Sequence, residues 1–366
     1  MIHVVSHVNV SSINSATKSE EIDDRVIYMD DIEKRKEVYG ICGECNDTGT
    51  GNYWCQPCNA KRFEENFKNW TKYTKCLEWI PFEKFQNVTY ITRGGFGKIY
   101  SAVWPEGNIG RWDIENQKWH RFTGGVTVAL KSLDNSSDIS TDFLNEIKSY
   151  LQIYILHVVN CYGITQDPNT KNYMMVLYYC ENGNLRNYNF NSYNHMKLYD
   201  LSKIADGLLD IHNAGKVHKD FHSGNILEGG KMFISDLGMC QPANNEEKSD
   251  KKGVYRVLPY MAPEVLRGYQ YTKAADIYSF GIIMNEFLSE EIPFNDVPHD
   301  HILAIKICKG LRPKISEDIS KFLVDLIMKC WDAKAENRPY AKELYQTLNK
   351  WCATEFNDHD DEFILK

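Results

Sequence analysis

Apolar and polar positions divide the chain into segments of different texture. Residues 1 to about 38 are polar and acidic, with Glu20, Glu21, Asp23, Asp24, Asp30 and Asp31 and no sustained apolar period. Such composition is expected of a flexible or weakly helical lead-in. Residues 39 to 58 are dense in Gly, Cys, Asn and Thr, which is loop chemistry that needs an external staple to hold a shape. Over residues 60 to about 78, Phe63, Phe67, Trp70, Tyr73 and Leu77 recur every three or four positions, which predicts an amphipathic helix. From residue 88 to 133 the pattern turns strand-like, with Ile99, Tyr100, Ala102 and Val103, then Val126, Val128 and Leu130, punctuated by glycines. Two aromatic-bearing arms around Glu115-Asn116 predict an elongated hairpin within residues 111–122. After residue 141 helical periodicity dominates, most clearly over residues 199–213, 274–288 and 322–331.

A small strand-rich part followed by a larger helical part is an α+β layout. At 366 residues the chain can form one large bilobal domain or two ordinary ones. Apolar residues at 43% and charged residues at 25% are those of a globular protein. No stretch approaches the roughly 20 apolar residues needed to span a bilayer. Ser6, His7, Asn9, Ser11 and Ser12 interrupt the early valines, so no secretory signal is expected. The net charge of −8 argues against a nucleic-acid partner held by bulk electrostatics. Eleven scattered cysteines, an odd count, ill suit a disulfide framework, and a reducing cytoplasmic setting follows as the default.

The first chemical motif is Arg93-Gly94-Gly95-Phe96-Gly97-Lys98-Ile99-Tyr100. Glycines there let the backbone lie close to a polyphosphate and aim its N–H groups at it, although a plain hairpin turn uses the same residues. About 35 residues later comes Val128-Ala129-Leu130-Lys131, a strand ending in a cation. A phosphate-binding lysine must be held by a carboxylate, and Glu146 in Phe143-Leu144-Asn145-Glu146-Ile147 is the candidate. The sharpest motif is Val217-His218-Lys219-Asp220-Phe221-His222-Ser223-Gly224-Asn225. An Asp and an Asn five positions apart can place a carboxylate beside an attacking hydroxyl and an amide oxygen on a metal ion. Beyond it, Asp236 in Ile234-Ser235-Asp236-Leu237-Gly238 offers a hard oxygen suited to Mg²⁺. Ala262-Pro263-Glu264, Asp276-Ile277-Tyr278-Ser279-Phe280-Gly281 and Asn337-Arg338-Pro339 complete the series, with Glu264 and Arg338 a candidate buried bidentate pair.

Upstream, Cys42-Gly43-Glu44-Cys45 and Cys55-Gln56-Pro57-Cys58 are two C-x-x-C pairs nine residues apart. Each pair presents two thiolates, and four thiolates satisfy a tetrahedral structural Zn²⁺ site with no open position for water. A glycine-rich segment this short has too little apolar material to fold unaided. Residues 39–78 carry both signs of charge, so a docking or autoregulatory role fits this module better than nucleic-acid reading.

Taken in order, the motifs from about Phe85 to Cys352 resemble the eukaryotic protein kinase superfamily. The details of Val217-His218-Lys219-Asp220 and of Leu258-Pro259-Tyr260-Met261-Ala262-Pro263-Glu264 look most like fungal tyrosine-kinase-like families. The resemblance implies a small β-rich lobe and a large helical lobe, preceded by a zinc-ribbon-like module. It implies ATP with Mg²⁺, or Mn²⁺ in its place, and a protein substrate. Gly94, Gly95, Phe96 and Gly97 would cover the phosphates, Lys131 and Glu146 would pair beneath them, and Asp220 would be the catalytic base. Asn225 and Asp236 would hold the metal. Ile91, Ile99, Val103, Ala129, Leu177, Tyr179 and Cys180 would surround the adenine. The expected division is a lead-in over residues 1–38, the cysteine module and its linking helix over 39–80, the kinase domain over 81–353 and a tail over 354–366.

Four positions depart from the family pattern. Thr92 stands where a glycine is usual, Lys219 replaces the arginine before the catalytic aspartate, position 222 is His where serine/threonine kinases tend to carry Lys and tyrosine kinases Ala, and Val257 occupies the place of the threonine common in serine/threonine kinases. A lysine cannot offer the bidentate fork that grips a phosphorylated activation segment. Transfer to serine or threonine is favoured, with tyrosine or both left open. The competing reading is a pseudokinase scaffold that binds partners through the same fold and the cysteine module. The oligomeric state is not legible.

Overall fold

The computed structural model describes residues 8–10, 26–28, 32–43, 45–48, 77–93, 97–113, 118–122, 124–133, 141–153, 157–187, 194–243 and 257–357. The chain divides into two compact units, Met1–Tyr179 and Cys180–Lys366.

In the first unit, β1 (Val8–Val10) and β2 (Val26–Tyr28) pair in parallel, and α1 (Ile32–Tyr39) follows with no buried residue. The acidic lead-in therefore carries some regular structure of its own. The body of the unit is a six-stranded sheet. It uses β3 (Glu78–Trp79), β4 (Gln86–Arg93), β5 (Gly97–Trp104), β8 (Val126–Leu133), β9 (Cys161–Gln166) and β10 (Tyr173–Tyr178), in the spatial order β3-β9-β10-β8-β5-β4. Between β5 and β8, strands β6 (Ile109–Asp113) and β7 (Lys118–Arg121) form the expected antiparallel hairpin. One helix, α2 (Thr141–Gln152), lies between β8 and β9 in the sequence.

Residues 49–76 lie outside the described residues, and with them most of the helix expected over residues 60–78. Its last position is different: Glu78 belongs to β3, which pairs with β9 in parallel through Glu78↔Gly163 and Trp79↔Ile164. A two-residue strand leaves no period to read, and tertiary pairing overrides the helical spacing that ends at Leu77.

Period-two alternation sorts the sheet into two faces. Ala102, Trp104, Val128, Leu130, Met174 and Val176 pack with Ile80 and Phe85 into an apolar core on one face, with Tyr100 and Val126 at its margin. Residues directly opposite one another on neighbouring strands share a face. The row Thr92↔Ile99↔Lys131↔Met175 and the row Ser101↔Ala129↔Leu177 therefore lie on the other.

The second unit is helical: α3 (Asn194–Asn213), α4 (Pro263–Leu266), α5 (Lys273–Ser289), α6 (His301–Cys308), α7 (Lys321–Cys330) and α8 (Ala341–Asn357). The three long helices predicted from periodicity correspond to α3, α5 and α7. Every residue of 275–287 in α5 is buried, Asp276, Ser279, Asn285 and Glu286 among them, so this helix is enclosed on all sides and forms the centre of the unit. Short antiparallel ribbons, β11 (Lys216–Val217) with β14 (Gln241–Pro242) and β12 (Ile226–Glu228) with β13 (Met232–Ile234), frame the loops that carry the polar motifs. Among the described residues, no helix is long and apolar enough to cross a membrane.

Candidate active site

Lys131 is the sixth residue of β8, on the face away from the aromatic core. Its Nζ lies 2.7 Å from Glu146 Oε1, and both residues are buried. Glu146 is brought there by α2, whose Phe143, Glu146, Ile147 and Tyr150 are all buried at helical spacing. Of the residues expected around the adenine, Ile99, Val103, Ala129 and Leu177 share this face with Lys131. Ile91 is exposed and sits unpaired in a register shift between Tyr90 and Thr92. Tyr179 and Cys180 directly follow β10, with Cys180 buried. Gly94, Gly95 and Phe96 lie outside the described residues; Gly97 opens β5 and is buried. Ser101 and Met175 belong to the same face. Reading the strands as runs of residues missed them, and the cross-strand register reveals them.

In the second unit, the loop after β11 carries Asp220. Asn225 Nδ2 donates to the Asp220 carbonyl at 2.9 Å and to its Oδ2 at 3.1 Å. With its nitrogen so engaged, Asn225 turns its amide oxygen away from Asp220. Burial pushes the Asp220 carboxyl up, but His222, His218 and the Asn225 hydrogen bond together hold it below the usual carboxylate range. His218 bridges two loops: its Nδ1 accepts the Asp220 N–H at 3.3 Å and its Nε2 donates to the Ser235 carbonyl at 3.1 Å. Ser235 N–H in turn donates to the Asn225 carbonyl at 2.8 Å. Asp236, the next residue, is thereby set beside Asn225. It adopts a left-handed backbone (φ 58°), and its carboxylate accepts the Gly238 N–H at 3.4 Å.

The loop is fastened from below by Asp276 of α5, which is fully buried. It accepts from the N–H groups of His218 (2.9 Å) and Lys219 (3.2 Å), from Tyr271 hydroxyl (2.8 Å) and from His212 Nε2 (3.0 Å). These bonds hold Lys219 at φ 68°, a conformation costing a non-glycine residue about 1–3 kcal/mol. Lys219 Nζ donates to Gln241 Oε1 at 2.8 Å, so β14 takes the cation. The sequence motif containing Asp276 was legible; its service to the Asp220 loop was not. The Glu264–Arg338 pair forms as expected, with Arg338 Nη1 and Nη2 on the two Glu264 oxygens at 2.6 and 2.8 Å.

Asn225 and Asp236 bring an amide and a carboxylate oxygen, hard donors of the kind Mg²⁺ takes. Cys42 and Cys45 stand on a tight turn in which Asn46 N–H donates to the Cys42 carbonyl at 3.0 Å. Cys55 and Cys58 lie outside the described residues, and among the described residues no three His, Cys, Asp or Glu side chains stand together as a metal site.

Residues 85–348 match the family model described as protein tyrosine and serine/threonine kinase. Among curated relatives, a probable serine/threonine-protein kinase of Dictyostelium discoideum is 29% identical over 257 residues, 62% of this chain and 16% of its own length. The serine/threonine-protein kinase VIK of Arabidopsis thaliana is 27% identical over 75% of this chain and 62% of its own. The tyrosine-protein kinase SPK-1 of Girardia tigrina is 27% identical over 71% of this chain and 52% of its own. The chain thus spans between about a sixth and three fifths of the length of these relatives.

Proposed function

The chain belongs to the protein tyrosine and serine/threonine kinase family, and on that premise we propose that it transfers the γ-phosphate of ATP to a protein hydroxyl, serine or threonine before tyrosine. The observation that carries this reading is the Asp220 carboxylate, held ionised and fixed through Oδ2 by Asn225 at 3.1 Å. Phosphoryl transfer asks little covalent chemistry of a protein and much positioning. Asp220 orients the attacking hydroxyl and takes its proton as the bond to phosphorus forms. Lys131, steadied by Glu146, places one positive charge on the α- and β-phosphates. Asn225 and Asp236 would hold Mg²⁺, or Mn²⁺ in its place, which neutralises the charge that develops on the transferred group. Gly94, Gly95, Phe96 and Gly97 cover the phosphates; Ile91, Ile99, Ala129, Leu177, Tyr179 and Cys180 take the adenine. With this set in the sequence, the scaffold reading, which rests on Thr92 and Lys219, is not the favoured one.

Placement among tyrosine-kinase-like enzymes rests on the sequence around Lys219 and Tyr260. The Cys42, Cys45, Cys55 and Cys58 module is read as a structural Zn²⁺ site for docking or autoregulation, and the compartment as the cytoplasm. Zinc released by thiol titration of the purified chain at one ion per molecule supports that part, and its absence from metal analysis of freshly purified protein overturns it.

The decisive test is γ-phosphate transfer by the purified chain with Mg²⁺, run beside Lys131→Met and Asp220→Asn. Transfer by the parent that vanishes in both variants is expected. A parent that binds ATP yet phosphorylates neither itself nor generic substrates returns the scaffold reading.

A further inference from the structure

His222 lies two residues beyond Asp220, and its Nε2 is 3.6 Å from Asp220 Oδ1. The other ring nitrogen, Nδ1, accepts the Gly224 N–H at 3.0 Å and so caps the short turn Ser223–Asn225. A ring nitrogen that accepts carries no proton, which leaves the hydrogen of the neutral imidazole on Nε2, the atom facing the carboxylate. The two oxygens of Asp220 therefore face two different N–H groups: His222 Nε2–H stands 3.6 Å from Oδ1, and Asn225 Nδ2–H is hydrogen-bonded to Oδ2 at 3.1 Å.

The ring has little freedom to be elsewhere. Its centroid is 5.8 Å from that of Tyr260. A Cβ at position 224 would stand 2.8 Å from the ring Cε1, so any residue but glycine there would displace the ring from this place. The next residue, Ser223, donates to Glu286 at 2.9 Å and accepts from Arg186 at 3.0 Å, which anchors the turn into α5. At 3.6 Å the Nε2 contact is longer than a made hydrogen bond, and hydrogen bonds to catalytic groups commonly tighten only when substrates arrive.

We propose that His222 is a positioning residue for phosphoryl transfer: its Nε2–H fixes the Asp220 carboxylate while its Nδ1 shapes the turn that carries Asn225. The inference rests on the kinase reading above. It makes the imidazole a neutral donor to Asp220 at a place where other kinases carry a lysine or an alanine, and it explains why Gly224 follows.

Two variants separate the ring's two ends. Glutamine presents an N–H at the reach of Nε2 and keeps the donor to Asp220. Asparagine presents an oxygen at the reach of Nδ1 and keeps the acceptor for Gly224. His222→Asn is expected to lower kcat about tenfold or more with KM for ATP and the thermal midpoint near those of the parent, while His222→Gln keeps kcat close to the parent. Nitrogen-15 NMR of the His222 ring supplies a readout that needs no turnover: the proton should reside on Nε2, with Nδ1 bare and accepting from Gly224. Equal kcat in both variants overturns the proposal, as do an equal loss in both and a ring proton found on Nδ1. A parent that transfers no phosphate sinks the kinase reading alone, and the ring proton then decides the role of His222.

Discussion

Lys131 and Glu146 meet at 2.7 Å with 8% and 2% of their side chains exposed, and water screens the pair little. Removing one partner strands a buried charge, at a cost of about 3–5 kcal/mol. Lys131→Met is therefore expected to abolish transfer and to lower the melting temperature. The double change Lys131→Met with Glu146→Leu, apolar on both sides, should restore the melting temperature without restoring transfer. Calorimetry beside the transfer assay checks both; recovery of transfer in the double variant would sink the assigned role.

Asp276 is expected to make the stability of the second unit fall in acid. Burial pushes its carboxyl up, but the hydrogen bond and charge of His212, with His218, hold it below the usual value. A group with a depressed folded pKa contributes stability above its unfolded value, about 3.9 for Asp, and that contribution is lost as pH falls through the folded value. His212 titrates in the same direction: burial lowers its pKa despite Asp276, so the unfolded chain takes up protons first as pH falls below about 6.5. Urea midpoints should decline gently from pH 7 to 5 and steeply below 4. Asp276→Asn, which turns an N–H₂ toward its donors, should lower the midpoint at pH 7 and flatten the acid limb. An unchanged acid limb would show that other carboxylates govern it.

Arg338 adds to its Glu264 fork two backbone acceptors, Ala274 at 2.9 Å and Asp332 at 3.0 Å. Arg338→Ala leaves the carboxylate and both carbonyls unmatched and should cost about 3–5 kcal/mol. Arg338→Lys keeps the charge but not the planar fork, and a smaller loss is expected. Chemical unfolding ranks the three; a lysine variant as stable as the parent would show that charge alone suffices.

Much of this machinery was legible because it is written in short, fixed spacings. Asp220 and Asn225 share one loop, and Lys131 sits on a strand whose apolar alternation is plain, although β8 runs on to Leu133 where the sequence had suggested an end at Lys131. Glu264 and Arg338 were readable as a pair only through their complementary chemistry, since 74 positions separate them. The rest depended on packing. Glu78 continued a helical spacing until pairing with β9 claimed it, and Ser101 and Met175 joined the Lys131 face through register. Asp276 looked like one polar residue in a helix; burial on all sides of α5 is what turns its carboxylate into the anchor of a distant loop.

Cys180 follows the last strand of the sheet, where a thiol invites labelling. Burial, with the nearby Glu228 carboxylate, pushes its pKa up to about 12. At pH 8 that leaves roughly one thiolate in ten thousand. Iodoacetamide should leave Cys180 unmodified in the folded chain and alkylate it in 6 M guanidinium, as read by peptide mass spectrometry at about pH 8. Rapid labelling of the folded chain would contradict the burial.

The parallel strand β3 closes the β9 side of the sheet. Its Glu78 carbonyl lies so near Gly163 that any Cβ there would come within 2.1 Å, and Arg121 ties the Glu78 carboxylate to the hairpin. The kinase family match begins only at residue 85. A protein trimmed to that boundary would keep every residue proposed to act on nucleotide or substrate, yet it would bare the ladder of β9 to strand addition by a second copy. Poor recovery of such a fragment from expression, cured by restoring Leu77, Glu78, Trp79 and Ile80, would trace solubility to a handful of residues with no part in the chemistry.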